Sequence, residues 1–151
     1  MKKRNGSSFY PSYSIASVYD LDFQKLYEKG YRALFFDIDN TLVLHDAPAE
    51  EETKAFFERL REMYYREHAG KPSAKAYLDA AEALDTDRKK CLFFGDQIFT
   101  DILGGNRAGI PTVLVRPMGR EKYFHIVLKR MLEKPFLFLY KRKNALWKNE
   151  P

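Results

Sequence analysis

Four aspartates stand as two pairs, Asp37 with Asp39 and Asp96 with Asp101, and each pair follows a short, continuously apolar run. Such runs predict strands that are buried on both faces of a parallel sheet. Since open α/β sheets bind ligands at the carboxyl ends of their strands, the four side chains are expected to converge. Clustered carboxylates repel one another unless some are protonated or a divalent cation lies among them, and oxygen ligands favour Mg²⁺. The sequence therefore predicts a magnesium site.

The first pair also suits covalent chemistry. In Asp37-Ile38-Asp39 the backbone must turn so that both side chains reach one pocket. One carboxylate can then attack a phosphoryl group, while the other protonates the leaving oxygen and afterwards activates water. A cation and a lysine would neutralise the charge that such a reaction develops. The pair therefore indicates acyl-phosphate chemistry.

The elements that position these residues form an α/β pattern. Three apolar runs predict buried strands, at residues 33–36, 91–94 and 112–115. Helical periodicity and capping signals between and around them predict four helices, at residues 22–30, 48–67, 74–84 and 100–108. Residues 5–19 are expected to form a loosely structured arm over the domain. Buried strands that alternate with helices predict a parallel sheet between helical layers.

Size and composition restrict the class of protein. The 151 residues fit one domain, and 45% hydrophobic content is enough for a core. The lone cysteine, Cys91, excludes disulfide frameworks and CxxC metal knuckles, and its apolar strand predicts a place in the core. No stretch approaches the roughly 20 apolar residues of a membrane span, and no signal peptide is evident, so the expected location is the cytoplasm.

The charge is concentrated in the C-terminal tail. Residues 1–119 hold 17 basic and 18 acidic side chains, whereas residues 120–151 hold nine and three. The spacing of apolar and polar residues in the tail predicts an amphipathic helix over residues 121–133. This helix is expected to end before Pro135, and the apolar run 136–140 follows it. A basic amphipathic helix is typical of peripheral contact with anionic membranes. RNA is the competing partner, because aromatic residues lie among the basic ones, but lipid is favoured over nucleic acid.

Two motifs resemble the haloacid dehalogenase (HAD) superfamily. Its first motif, DxDx(T/V), stands at residues 37–41, and its fourth, GDxxxxD, at residues 95–101. The stretches FFDIDNTL, AGKPSAKAY and GDQIFTDILGGNRAGIPTVLV narrow the resemblance to the YqeG-like phosphatases of subfamily IIIA, which are related to phosphatidylglycerophosphate phosphatases. The resemblance covers most of residues 10–135. It implies a capless, three-layer, Rossmann-like phosphatase domain at residues 1–119, with residues 120–151 as a tail packed on it or extending from it.

The resemblance also assigns roles. Asp37 would be the nucleophile, Asp39 the general acid/base and Lys71 the cation that holds nucleophile and phosphate. Asn40 and Thr41 would belong to the substrate-binding loop. The resemblance gives Mg²⁺ four ligands, which are Asp37, Asp39 through its main-chain carbonyl, Asp96 and Asp101, the last directly or through water.

The sequence departs from the family between the first helix and Lys71. Family members have a strand there that ends in serine or threonine, whereas no serine or threonine lies between Thr53 and Ser73 in this chain. About 25–30 residues are missing relative to a full doubly wound unit, which leaves about three core strands. The nucleophile strand would then lie at an exposed edge of the sheet, and two copies of the chain could form a homodimer through this edge.

Three functions stay open at this point. The first is a Mg²⁺-dependent phosphatase acting on a phosphatidylglycerophosphate-type lipid. The second is a phosphatase of soluble metabolites. The third is a non-catalytic interaction protein that lost activity with the second motif.

Overall fold

The computed structural model of the chain describes residues 9–37, 41–42, 51–61, 74–119 and 123–151. Five strands form one sheet in the order β2-β3-β4-β1-β5. The strands are β1 (Tyr13–Ile15), β2 (Ala33–Phe36), β3 (Cys91–Gly95), β4 (Thr112–Val115) and β5 (Lys148–Asn149). The helices are α1 (Phe23–Glu28), α2 (Glu51–Arg61), α3 (Ala74–Ala83), α4 (Leu103–Arg107) and α5 (Phe124–Lys141). The predicted α/β fold with a mostly parallel sheet is confirmed.

The three predicted strands are present and neighbour one another. β2 pairs in parallel with β3, and β3 pairs in parallel with β4. Within the described part of the chain, β2 has no strand on its other side, so the strand that precedes Asp37 lies at the edge of the sheet. Every residue of β3 and β4 is buried, which is why their sequences are continuously apolar rather than alternating.

The sheet separates two helical layers. Alternate residues of β3, Leu92 and Phe94, pack in a core with Phe23 of α1 and Phe56 of α2. The intervening side chains face the other layer, where Cys91 and Phe93 pack against α3. Burial and the nearby Asp87 raise the pKa of the Cys91 thiol to about 11, which fits its predicted place in the core.

Two strands extend the sheet beyond the predicted three. β1 lies in the N-terminal arm and pairs in parallel with β4, and β5 pairs antiparallel with β1. The expectation of a loosely structured arm over residues 5–19 is therefore wrong for residues 13–15. A hydrogen bond from the main-chain N–H of Trp147 to Oγ of the buried Ser14, at 3.0 Å, also ties the end of the chain to this strand.

The C-terminal helix also differs from the prediction. Pro135 was expected to end a helix, yet α5 continues through it to Lys141. Proline removes one helical hydrogen bond and disfavours the preceding turn, so packing must hold the second half of the helix in place. Phe136 and Leu137 supply it, because they pack with Phe9 and Phe99 around Ile98, Ile102 and Leu114. Among the described residues, no helix combines the length and apolar content needed to cross a bilayer.

Candidate active site

Three of the predicted aspartates meet at the carboxyl ends of β2 and β3. Asp37, Asp96 and Asp101 each present a carboxylate oxygen, and these oxygens all lie within 4.8 Å of one another. Asp37 follows β2, and its main-chain N–H donates to the carbonyl of Phe94 at 2.8 Å, which continues the pairing of the two strands. Asp96 follows β3 directly. The strand ends thus position two of the carboxylates.

A π-helical turn places the third carboxylate. Residues Ile98–Ile102 form this turn, in which the N–H of Ile102 donates to the carbonyl of Gln97 at 3.2 Å. Oδ2 of Asp101 accepts a hydrogen bond from the N–H of Gln97 at 2.9 Å. π-Turns of this kind occur mostly as single turns and frequently at functional sites. Here the turn directs Asp101 back toward the strand end.

Gly95 makes that approach possible. A Cβ atom at this position would lie 2.4 Å from Cβ of Asp101 and 2.6 Å from its Oδ2. No real side chain tolerates such distances, so only glycine lets Asp101 pack over the end of β3. The glycine of the GDxxxxD motif therefore has a steric role in the carboxylate cluster.

Burial and mutual repulsion control the charge of the cluster. Asp96 and Asp101 are both buried, whereas Asp37 is half-buried. Desolvation is the main cause that raises the pKa of Asp101 well above its usual value, and the charges of Asp37 and Asp96 raise it further. A cation among the three would relieve both the repulsion and the desolvation. This set of hard oxygen donors fits a divalent ion such as Mg²⁺.

Two residues of α5 complete the site, and sequence reasoning missed both. The guanidinium of Arg130 donates to Oδ2 and to the main-chain carbonyl of Asp96. Oε1 of the buried Glu133 accepts from the N–H of Ile98 at 2.7 Å and from that of Phe99 at 3.4 Å. Oε2 of Glu133 lies 3.4 Å from Nη1 of Arg130. α5 thus holds both the Asp96 carboxylate and the start of the π-helical turn.

The electrostatics of Glu133 reflect this role. Burial raises the pKa of its carboxyl, while Arg130 and the two main-chain N–H donors oppose that increase. The only sequence signal for it was a single acidic residue in a strongly basic helix. Nothing in the helical period indicated that this acid faces the sheet.

The chain after Asp37 is anchored at Thr41 and Leu42. Thr41 and Leu42 are both buried. The carbonyl of Leu42 accepts hydrogen bonds from the hydroxyls of Tyr19 and Thr53, the latter at 3.2 Å. Oγ1 of Thr41 is buried and has no hydrogen-bond partner among the described residues.

The remaining predicted site residues, Asp39, Asn40 and Lys71, lie outside the described residues. The same is true of residues 62–70, the segment in which the sequence departs from the family pattern. Their predicted roles stay predictions.

Comparison with known proteins finds phosphatases among the similar sequences. Residues 68–120 match the HAD-hydrolase-like family. The chain is 29% identical to the probable phosphatase YqeG of Bacillus subtilis, in an alignment that covers 91% of this chain and 95% of that protein. That alignment runs over 163 positions, more than the whole chain, so this chain lacks residues that the relative has.

Two further relatives are matched over smaller parts of their length. Phosphatidylglycerophosphate phosphatase 1, chloroplastic/mitochondrial, from Arabidopsis thaliana is 25% identical over 88% of this chain and 48% of its own. The glyceraldehyde 3-phosphate phosphatase of Methanopyrus kandleri is 40% identical over 53 residues, which are 35% of this chain and 22% of that protein. This chain therefore spans less than half of either relative.

Proposed function

We infer that this chain is a HAD-family phosphatase, and that it hydrolyses a phosphate monoester through a phosphorylated Asp37, with Mg²⁺ as cofactor. The observation that carries the proposal is the convergence of Asp37, Asp96 and Asp101 at the ends of two neighbouring strands. Asp37 is the least buried of the three carboxylates, which suits a group that must meet a substrate. Its role as nucleophile, rather than as a ligand alone, rests on the first-motif resemblance.

The proposed reaction has two steps that balance. In the first, an oxygen of Asp37 attacks phosphorus, the bond from phosphorus to the leaving oxygen breaks, and Asp39 donates a proton to that oxygen. In the second, Asp39 takes a proton from water, whose oxygen attacks the same phosphorus. The Asp37–phosphorus bond breaks, so that inorganic phosphate leaves and the Asp37 carboxylate is restored.

The residues proposed to hold Mg²⁺ are Asp37, Asp96, Asp101 and the main-chain carbonyl of Asp39. The ion would neutralise the charge that develops on the phosphoryl oxygens. Arg130 donates to Oδ2 of Asp96 and orients this set from outside it, as the hydrogen-bonding partners of metal ligands commonly do. Glu133 acts one step further away, because it holds the start of the turn that carries Asp101.

The substrate phosphate is proposed to contact Lys71, Asn40 and Thr41. The buried Thr41 hydroxyl, which is close in sequence to Asp37, supports a place for it in the binding loop. Lys71 would balance the charge of the phosphate next to the nucleophile. The roles proposed for Asn40 and Lys71 rest on the sequence resemblance, since both residues fall outside the described part of the chain.

For the substrate class we propose a lipid phosphate of the phosphatidylglycerophosphate type. The similarity to the Arabidopsis enzyme, whose name states that substrate, supports this choice. A soluble metabolite is the second candidate, supported by the short match to a glyceraldehyde 3-phosphate phosphatase. Turnover of phosphatidylglycerophosphate in mixed micelles, compared with sugar and nucleoside phosphates without lipid, distinguishes the two.

The first test is hydrolysis of an aryl phosphate by the purified chain, with Mg²⁺ and with EDTA. We expect Mg²⁺-dependent turnover that Asp37→Asn lowers by at least about 10³-fold, as loss of a nucleophile commonly does. The exposed Asp20 offers a matched control, and Asp20→Asn should retain full activity. Equal rates for wild type and Asp37→Asn would refute the proposed mechanism and favour the non-catalytic interaction protein.

A further inference from the structure

The C-terminal helix α5 exposes an apolar side to solvent in addition to the side that packs on the sheet. Its outward side consists of apolar residues, and we call this set the outer face. The outer face comprises Phe124, Val127, Leu128, Met131, Leu132, Pro135, Phe138 and Leu139. The exposed fraction reaches 80% at Phe124 and 63% at Phe138. At 100° per residue these positions fall on one continuous side of the helix.

The inward side of the same helix carries polar groups beside the apolar Ile126, Phe136 and Leu137. Glu133 and Tyr140 are buried there, and Arg130 contacts Asp96. These contacts fix the rotation of α5 about its axis, so the apolar side cannot turn inward without breaking them. The exposure of the outer face is therefore built into the fold.

Charge borders the outer face on one side. Lys134 and Lys141 are exposed along one flank, and Arg142 and Lys143 continue beyond the C-terminal end. Between residues 123 and 143 the only acidic residue is Glu133, which is buried on the inward side. An apolar strip with a purely basic border is complementary to an anionic lipid surface, where apolar side chains enter the acyl region and basic ones meet the headgroups.

A second copy of the chain fits this surface less well. Pairing two outer faces about a two-fold axis would bring like charges from both helices together without any acidic partner on either. The same argument applies to a partner protein unless it supplies the negative charge. The bilayer satisfies both the apolar and the basic requirement.

We propose that the outer face of α5 binds in the interfacial region of an anionic membrane, with the helix parallel to the surface. Arg130 and Glu133 on the opposite side of the same helix contact residues 96–102, which we call the carboxylate loop. Membrane binding would therefore hold the candidate active site about 10 Å, the diameter of a helix, from the lipid surface. The proposed binding does not depend on hydrolysis.

Co-sedimentation with vesicles tests the proposal. Vesicles of phosphatidylcholine with phosphatidylglycerol are compared with vesicles of phosphatidylcholine alone, using the full chain. We expect binding to the anionic vesicles, and a loss of at least about tenfold in Met131→Glu and in Phe138→Glu. Leu84→Glu is the matched control, because Leu84 is an exposed apolar residue on another part of the surface, and it should bind like wild type.

Charge reversal gives a second, independent variant. Each basic residue near an anionic surface contributes about fivefold to binding, so Lys134→Glu with Lys141→Glu should lower affinity by about 25-fold or more. Asp37→Asn should bind as wild type does, which separates this proposal from the catalytic one. All these positions are exposed or half-buried, and circular dichroism confirms that each variant is folded.

Three results would overturn the proposal. The first is absence of wild-type binding to anionic vesicles, and the second is binding that Met131→Glu and Phe138→Glu leave unchanged. The third is a dimer in light scattering that Met131→Glu converts to a monomer, which would assign the outer face to a second copy of the chain.

Discussion

The contact between Arg130 and the carboxylates of Asp96 and Glu133 makes the sharpest prediction about stability. Arg130 is the cation that the structure places against both side chains, which are 0% and 2% exposed. Arg130→Met retains most of the apolar length of the side chain but removes the charge and the donors. Two buried carboxylates would then lack this compensating charge.

The size of the effect follows from that burial. Removing one partner of a buried ion pair costs about 3–5 kcal/mol, and the arginine side chain is only 19% exposed, so solvent screens it little. For a domain of about 150 residues, 1 kcal/mol shifts Tm by about 2–4 °C, so Tm should fall by about 6–20 °C. The proposed Mg²⁺ would supply positive charge to Asp96, although not to Glu133, and should therefore restore part of the loss.

Thermal and urea unfolding of wild type and Arg130→Met, each with EDTA and with Mg²⁺, measure the loss of stability and the part that Mg²⁺ restores. Arg142→Met is the matched control, because Arg142 lies exposed at the end of the same helix, and its stability should stay within about 0.5 kcal/mol of wild type. A loss below about 1 kcal/mol in Arg130→Met, or an equal loss in both variants, would refute the view that α5 stabilises the carboxylate loop through this arginine.

Two further predictions concern the carboxylate cluster. Gly95→Ala places a methyl group 2.4 Å from Cβ of Asp101. The substitution should lower the free energy of unfolding in urea by about 1–3 kcal/mol and weaken Mg²⁺ binding measured by calorimetry. Wild-type values in both measurements would contradict the steric role of Gly95. The pKa of Asp101 is raised in the folded state. The contribution of this carboxyl to the unfolding free energy is therefore complete at pH values below the pKa of an unfolded aspartate, about 3.9, and is lost as pH rises through the folded-state pKa. In EDTA, the unfolding free energy of wild type relative to Asp101→Asn should therefore fall as pH rises above about 4, and Mg²⁺ should reduce the fall; a difference that is constant with pH would contradict it.

The core of the fold could be predicted because its signals are local. Continuous apolar runs identified β2, β3 and β4, and the acidic residues after the first two identified the edge of the sheet where three carboxylates converge. Parallel strands align their carboxyl ends, so the convergence of Asp37 with Asp96 follows from the order of elements alone. The short strands β1 and β5 could not be predicted, since three and two residues are too few to show a period.

The helix α5 shows where sequence patterns fail. The intrinsic cost of proline predicted an end at Pro135, but packing of Phe136 and Leu137 outweighs that local cost. Periodicity correctly grouped Phe124 with Met131 on one side of the helix. It carried no information about whether that side faces the protein or the solvent.

The sequence by itself determined the chemistry that is available: the two acidic motifs, the buried strands before them and the basic C-terminal tail. Only the tertiary structure decided how those parts are used. It brought Arg130 and Glu133 to the carboxylate loop, 34 and 35 residues away in sequence, and in doing so it turned the apolar side of α5 outward. The physical reason is that a side chain's type and spacing fix what it can bind, whereas its partners depend on contacts between segments that local sequence does not encode.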